Sequence, residues 1–289
     1  MFIPMLIFGL ICAPILGCLL AGVDRKITAR MQGRVGPSIL QPYYDFRKLL
    51  GKDTGHTNRT ESVYIFMYLL FVVIATVLFF LGGNFLLVVF VLTLGVLFFI
   101  LAAYAPGSPY ASIGANREIL AVMAYEPMVL LVAAGLYLAT GTFDVVAMTQ
   151  ASKPAIIMLP LLFLGFIYVL TIKLRKSPFD LSMSHHAHQE LVRGMTTEMN
   201  GQTLAMVELA HWYESILYLG WVALFVIWKG WVGLIVALLV AALVYFLEIL
   251  VDNNFARMKW QFALKSSWWL ALILGLLNLG VILLLGLAL

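Results

Sequence analysis

The sequence predicts an all-α integral membrane protein with about eight transmembrane helices. Apolar residues fill 63% of the 289 positions and charged residues only 11%, far from the roughly 45–50% and 25% of a soluble domain. Apolar windows of about 20 residues, the length that crosses a hydrocarbon core of about 30 Å, recur along the chain. No alternating strand pattern accompanies them, so each window must satisfy its backbone internally, as a helix.

The windows fall at about 2–22, 63–82, 85–103, 118–140, 155–172, 205–228, 231–251 and 267–288. The first has no basic n-region and suits a retained span better than a cleaved signal. It contains both cysteines, Cys12 and Cys18. Without a CxxC or cluster spacing, they predict no iron–sulfur centre, structural zinc or disulfide framework in this chain. The net charge of +4 is dispersed along membrane-adjacent loops, which argues against nucleic-acid binding and gives the charge a topological meaning. With the first helix running inward, 16 basic residues fall on inner loops, and Lys153 and Lys229 alone fall outside. The positive-inside rule then places both termini outside and two long loops, about 23–62 and 173–204, in the cytoplasm. In the first loop, Pro42 opens an amphipathic stretch through Leu50 that reads as a surface-lying helix. No repeat or second domain is evident, so residues 1–289 read as one transmembrane domain.

Six titratable residues lie where they are expensive: Glu118, Glu126, Glu208, His211, Glu214 and Glu248 fall within or at the ends of spans. A carboxylate at a helix centre costs roughly 2.5–3.5 kcal/mol on insertion scales, so it should face protein or a wet cavity. Glu208, His211 and Glu214 follow at steps of three, which spreads them over an arc of about 120° on one helix face. They can line one side of a polar path. Pro127, beside Glu126, removes a helix hydrogen bond and frees the Met123 carbonyl four residues earlier. The alternative is a set of neutral or paired structural groups, some in the headgroup region; Glu118 and Glu248, near span ends, fit it best.

The second long loop carries His185, His186 and His188, then Glu190 and Glu198. Three histidines in four positions resemble metal ligands, yet no cysteine or carboxylate cluster accompanies them. A titratable chain is the better reading, because histidines and buried carboxylates exchange protons near neutral pH. Solvated interfacial residues are the remaining alternative.

Three motifs, spread over nearly the whole chain, resemble the membrane subunit that anchors the hydrophilic arm in respiratory complex I and in energy-converting group 4 [NiFe] hydrogenases. They are Asp24-Arg25-Lys26 with Met31-Gln32-x-Arg34-x-Gly36-Pro37 and Gln41-Pro42; Arg117 with Tyr125-Glu126; and Pro178-Phe179-Asp180-Leu181 with Glu190-Leu191-Val192-x-Gly194 and Glu198. The run Ser184-His185-His186-Ala187-His188 replaces the acidic run of the quinone-using subunit, and looks like the Ech-type hydrogenase branch.

The resemblance implies a complex I subunit-H-like fold in a prokaryotic cell membrane and a non-catalytic part in a ferredoxin-dependent hydrogenase. It implies no cofactor in this chain; the [NiFe] centre and iron–sulfur clusters would sit in partner subunits. Hydrogenase large and small subunits would dock on the cytoplasmic loops through Arg25, Arg34, Gln41 and Pro42. Coupling to H⁺ or Na⁺ translocation would run from Asp180, His185, His186, His188, Glu190 and Glu198 to Glu118, Glu126, Glu208, His211 and Glu214, and on to an antiporter-like neighbour. Formate-linked, carbon-monoxide-linked, sulfur-reducing and quinone-reducing relatives would share the fold. A self-sufficient transporter would need paired broken helices, and only the fourth span has a central proline.

Overall fold

A computed structural model of the protein describes residues 2–52, 58–176, 178–179, 182 and 191–284. Its helices are α1 (Ile3–Met31), α2 (Gln41–Leu50), α3 (Arg59–Phe80), α4 (Phe85–Tyr104), α5 (Pro109–Thr140), α6 (Val145–Thr149), α7 (Pro160–Lys173), α8 (Gly201–Val226), α9 (Trp231–Asn254) and α10 (Trp260–Leu284). Seven are long and apolar enough to cross a membrane, and α7 is a shorter apolar helix. The predicted spans are therefore all present as helices among the described residues, with changed boundaries; the eighth, for one, starts at Trp260 rather than at about 267.

The first span continues to Met31, so Asp24, Arg25 and Lys26 ride on the end of α1 rather than in a loop. The fourth begins at Pro109, which puts Glu118 well inside α5 instead of at a span end. The fifth loses its first turn, because the chain forms only a 3₁₀ turn at Ala155–Ile157 before Pro160 starts α7. A helix start inside a membrane protein leaves backbone donors that lipid cannot satisfy. Asn278 of α10 supplies the partners: its Oδ1 accepts from the N–H groups of Leu161 and Leu162 at 3.0 and 3.1 Å, and its Nδ2 donates to the Met158 carbonyl at 2.9 Å.

The chain divides into two compact units, interleaved along the sequence. The first comprises Met1–Phe80, Phe90–Ile119 and Asp180–Ile216. Its core is built around Ile65, Tyr68, Val72 and Phe99, all fully buried. Close helix approach depends on small residues, as is common between membrane helices: a Cβ at Gly17 would collide with the Trp212 backbone, and one at Gly22 with the Ile39 carbonyl. The second unit comprises Leu81–Val89, Leu120–Phe179 and Leu217–Leu289. Aromatic packing dominates it, with Trp221 against Phe85 at 5.2 Å and Phe225 against Phe163 at 5.3 Å between ring centroids.

Both units contain a proline inside an apolar helix, and both resolve it alike. Pro14 offers no N–H to the Leu10 carbonyl, and α1 carries a π-helical stretch over Phe8–Cys12; the Tyr213 hydroxyl donates to that carbonyl at 2.7 Å. Pro127 leaves the Met123 carbonyl free while α5 runs on unbroken, and the Trp268 indole N–H donates to it at 3.0 Å. The freed Met123 carbonyl thus serves α10.

Candidate functional site

In the first unit a cleft of about 250 Å³ opens between the end of α1, helix α2, the 3₁₀ turn Gly194–Thr196 and the start of α8. Four cations line it, Arg25, Lys48, Lys52 and Arg193, with Asp45 and Glu208 among them. Its apolar wall is Pro42, Phe46, Leu49, Leu204 and Trp212. The first sequence motif builds one side. Gly33 at φ 72° ends α1, and the Arg34 N–H closes back on the Ala29 carbonyl at 2.7 Å, the backbone pattern of a left-handed helix stop.

That turn brings α2 back to α1. Arg25 donates to Asp45 at 2.7 Å, the Gln41 amide donates to the other Asp45 oxygen at 2.9 Å, and Phe46 packs on Trp212 at 5.2 Å. Burial alone would push the Asp45 carboxyl up, but the Arg25 and Gln41 hydrogen bonds and the nearby Lys48 outweigh it and hold it below its ordinary value. Arg25 and Pro42 therefore line one cleft, and Gln41 braces its Asp45. Arg34 does not line it; it is exposed and bonds to Gln32.

The opposite side rests on Arg193, a non-glycine residue at φ 63°. Such a conformation persists only where packing over-determines it, and the next two residues press on α5 at Gly114, where a Cβ would stand 2.6 Å from the Met195 nitrogen.

Glu208, His211 and Glu214 all lie on α8. Glu208 lines the cleft. His211 meets the Phe99 ring edge-on at 6.3 Å, and that ring stacks on Tyr68 at 4.8 Å. Glu214, 5% exposed, accepts a hydrogen bond from the Tyr68 hydroxyl at 2.9 Å. The face thus runs from a polar cleft to a buried carboxyl. Glu118 is also buried and accepts from Ser182, whereas Glu198 is exposed. Asp180, His185, His186, His188 and Glu190 lie outside the described residues. No group of three His, Cys, Asp or Glu that could hold a metal occurs among the described residues.

Glu126 belongs to the second unit, where it is half-buried. Its neighbour Tyr125 points to a residue that sequence reasoning assigned to a loop. Lys173 is the last residue of α7 and is buried, its Nζ 3.8 Å from the Tyr125 ring centroid, 5.1 Å from Tyr218 and 5.6 Å from Trp221. Aromatic faces stabilise a desolvated ammonium by up to about 2 kcal/mol. In the same unit Glu248, 1% exposed, lies 3.5 Å from the Thr171 hydroxyl, and Lys176 pairs with Asp252 at 3.4 Å. Lys173, at the end of α7, and Lys176, just beyond it, are therefore buried in this unit rather than solvated.

Comparison with known proteins fits this architecture. The NADH dehydrogenase family matches residues 3–283. The chain belongs to that family. Hydrogenase-4 component C of Escherichia coli is 30% identical, with 86% of each chain covered. Formate hydrogenlyase subunit 4 of the same organism is 26% identical, over 86% of this chain and 89% of that one. A subunit of the membrane-bound sulfane sulfur reductase, an archaeal respiratory membrane complex, superposes with a TM-score of 0.83 at 25% identity, over 96% of this chain and 99% of that one. This family member is thus a multi-pass, subunit-H-like membrane subunit of a complex I-like respiratory or hydrogenase complex.

Proposed function

We propose that this subunit is the membrane anchor of a ferredoxin-dependent, energy-converting [NiFe] hydrogenase of the Ech type. It docks the hydrogenase large and small subunits on its cytoplasmic face and couples proton reduction or hydrogen oxidation to H⁺ or Na⁺ translocation through an antiporter-like neighbour. The observation that carries the reading is Glu208. It stands in the wall of a cleft lined by four cations, and on the same helix face His211 and Glu214 continue inward to a buried hydrogen bond with Tyr68. A charge change in a partner seated over that cleft would act on Glu208, and closely spaced titratable groups pass such a change on by shifting one another's proton affinity. This chain would bind no redox cofactor; the [NiFe] centre and iron–sulfur clusters would belong to the partners.

The histidine run 185–188 supports the Ech-type branch. A second reading, a subunit of a formate-linked or sulfur-reducing complex, is favoured by the similarity to formate hydrogenlyase subunit 4 and to the sulfane sulfur reductase chain. Purification of the assembled complex, metal analysis, and assay of hydrogen evolution from reduced ferredoxin in sealed vesicles separate the two. Stoichiometric nickel, hydrogen evolution and a coupled ion gradient are expected. A complex without nickel overturns the hydrogenase assignment.

A further inference from the structure

One buried acid lies outside every motif the sequence offers. Glu61, in the first turn of α3, is 2% exposed, and its Oε1 has no hydrogen-bond partner among the described residues. Glu61, Ile65 and Tyr68 follow at the i, i+4, i+7 spacing of one helix face, and all three are buried. The exposed Glu198 lies near enough for its charge to act on Glu61. Two turns further along α3, about 10 Å, the Tyr68 hydroxyl donates to Glu214. One face of α3 thus joins a solvent-facing carboxylate, a buried carboxyl with an orphaned oxygen, and the phenol bonded to another buried carboxyl.

A buried carboxylate without compensating hydrogen bonds is costly, and two acids in one another's field exchange a proton more readily than they hold two charges. We propose that Glu61 is a proton-relay residue of this subunit, receiving a proton by way of Glu198 and passing it along α3 to the Tyr68–Glu214 pair. The proton leaves the Glu198 carboxyl as Glu61 takes it up. It then crosses intervening water to the Tyr68 oxygen while the Tyr68 hydroxyl proton moves to Glu214. Glu198 loses one proton, Glu214 gains one, Glu61 and Tyr68 end as they began, and no electron is transferred. The inference rests on the coupling role proposed above.

The test uses the assembled complex in sealed vesicles, as wild type, Glu61→Gln and Glu61→Asp. Infrared difference spectra on changing redox state or pH report the C=O stretch of a carboxyl that takes up a proton. Ion-gradient formation and donor turnover are followed in parallel. The wild type should show a carboxyl band that is lost in Glu61→Gln and shifted in Glu61→Asp. Gradient formation should fall about a hundredfold or more in Glu61→Gln, from the lower end of the range for loss of a proton-transfer group, and recover in part in Glu61→Asp. An unchanged band, a full gradient in Glu61→Gln, or equal failure of both variants to assemble overturns the relay. A wild-type complex that forms no gradient overturns the coupling role instead, and the infrared band still decides whether Glu61 takes up a proton.

Discussion

Asp45 and Tyr68 show how single side chains hold the first unit together at its surface and in its interior. Asp45 accepts from Arg25 and Gln41, and its folded-state carboxyl is held below the unfolded value of about 3.9. It therefore contributes stability that is present above that unfolded value and is lost as pH falls through the lower folded one. Both partners of the ion pair are nearly half exposed, so the contribution is small and screened by salt. Amide exchange of α2 should quicken below about pH 4 and, more weakly, in high salt; Asp45→Asn should abolish the acid dependence. Tyr68→Phe removes the hydroxyl that Glu214 accepts in a buried site. Leaving such an acceptor short of a partner costs about 1–3 kcal/mol, read as an earlier thermal transition in detergent. Legibility at this scale was uneven. The Glu208, His211 and Glu214 face followed from spacing alone, because one helix carries all three. Lys173 did not, because its aromatic partners come from α5 and α8, and a lysine at the end of an apolar window looks like a topological charge. Glu61 was missed for a similar reason: next to Arg59 at a span end, nothing local distinguishes it from a solvated acid.

Helices in this chain are continued or stopped by specific polar groups supplied from other helices. Pro127 and the carbonyl it frees were legible in sequence; Pro14, in the middle of the first span, was passed over. The donor that meets the Met123 carbonyl was not legible, since Trp268 is remote in sequence and one of seven tryptophans. The pairing predicts a coupling that a double-mutant cycle can measure. Trp268→Phe alone should destabilise by about 0.6–2 kcal/mol, the range for interhelical hydrogen bonds in membranes. In a Pro127→Ala background, the N–H that the substitution restores can take the Met123 carbonyl, so the added cost of Trp268→Phe should shrink towards its packing contribution. Equal costs in both backgrounds would mean that Trp268 acts by packing alone. Tyr213→Phe with Pro14→Ala makes the same comparison on α1, where the Tyr213 hydroxyl meets the Leu10 carbonyl.

For the molecule as a whole, the short helix α7 decides the topology. Fourteen residues rise about 21 Å, less than the hydrocarbon thickness of about 30 Å. If α7 did not cross, Lys153, Lys173, Arg175, Lys176, Arg193, Arg257, Lys259 and Lys265 would face outward, and the 18 basic residues would divide ten inside to eight outside. If it crosses, only Lys153 and Lys229 face outward. The positive-inside rule strongly favours the second arrangement. The Asn278 cap shows how a short helix can serve: the non-helical backbone before Pro160 is satisfied by protein, the condition under which irregular chain is tolerated at membrane depth. If α7 crosses, the positive-inside rule predicts both termini outside and α2 with its cleft on the cytoplasmic side. Single cysteines at Lys229 and Lys259, in a chain whose Cys12 and Cys18 are replaced by alanine, test this with a thiol reagent that cannot cross the membrane. Lys229→Cys should react from outside in intact cells and Lys259→Cys only in inverted vesicles. The opposite sidedness would leave α7 uncrossed and put the cleft on a different side from the loop 173–204, a separation under which Arg25 and Arg193 could not line it together.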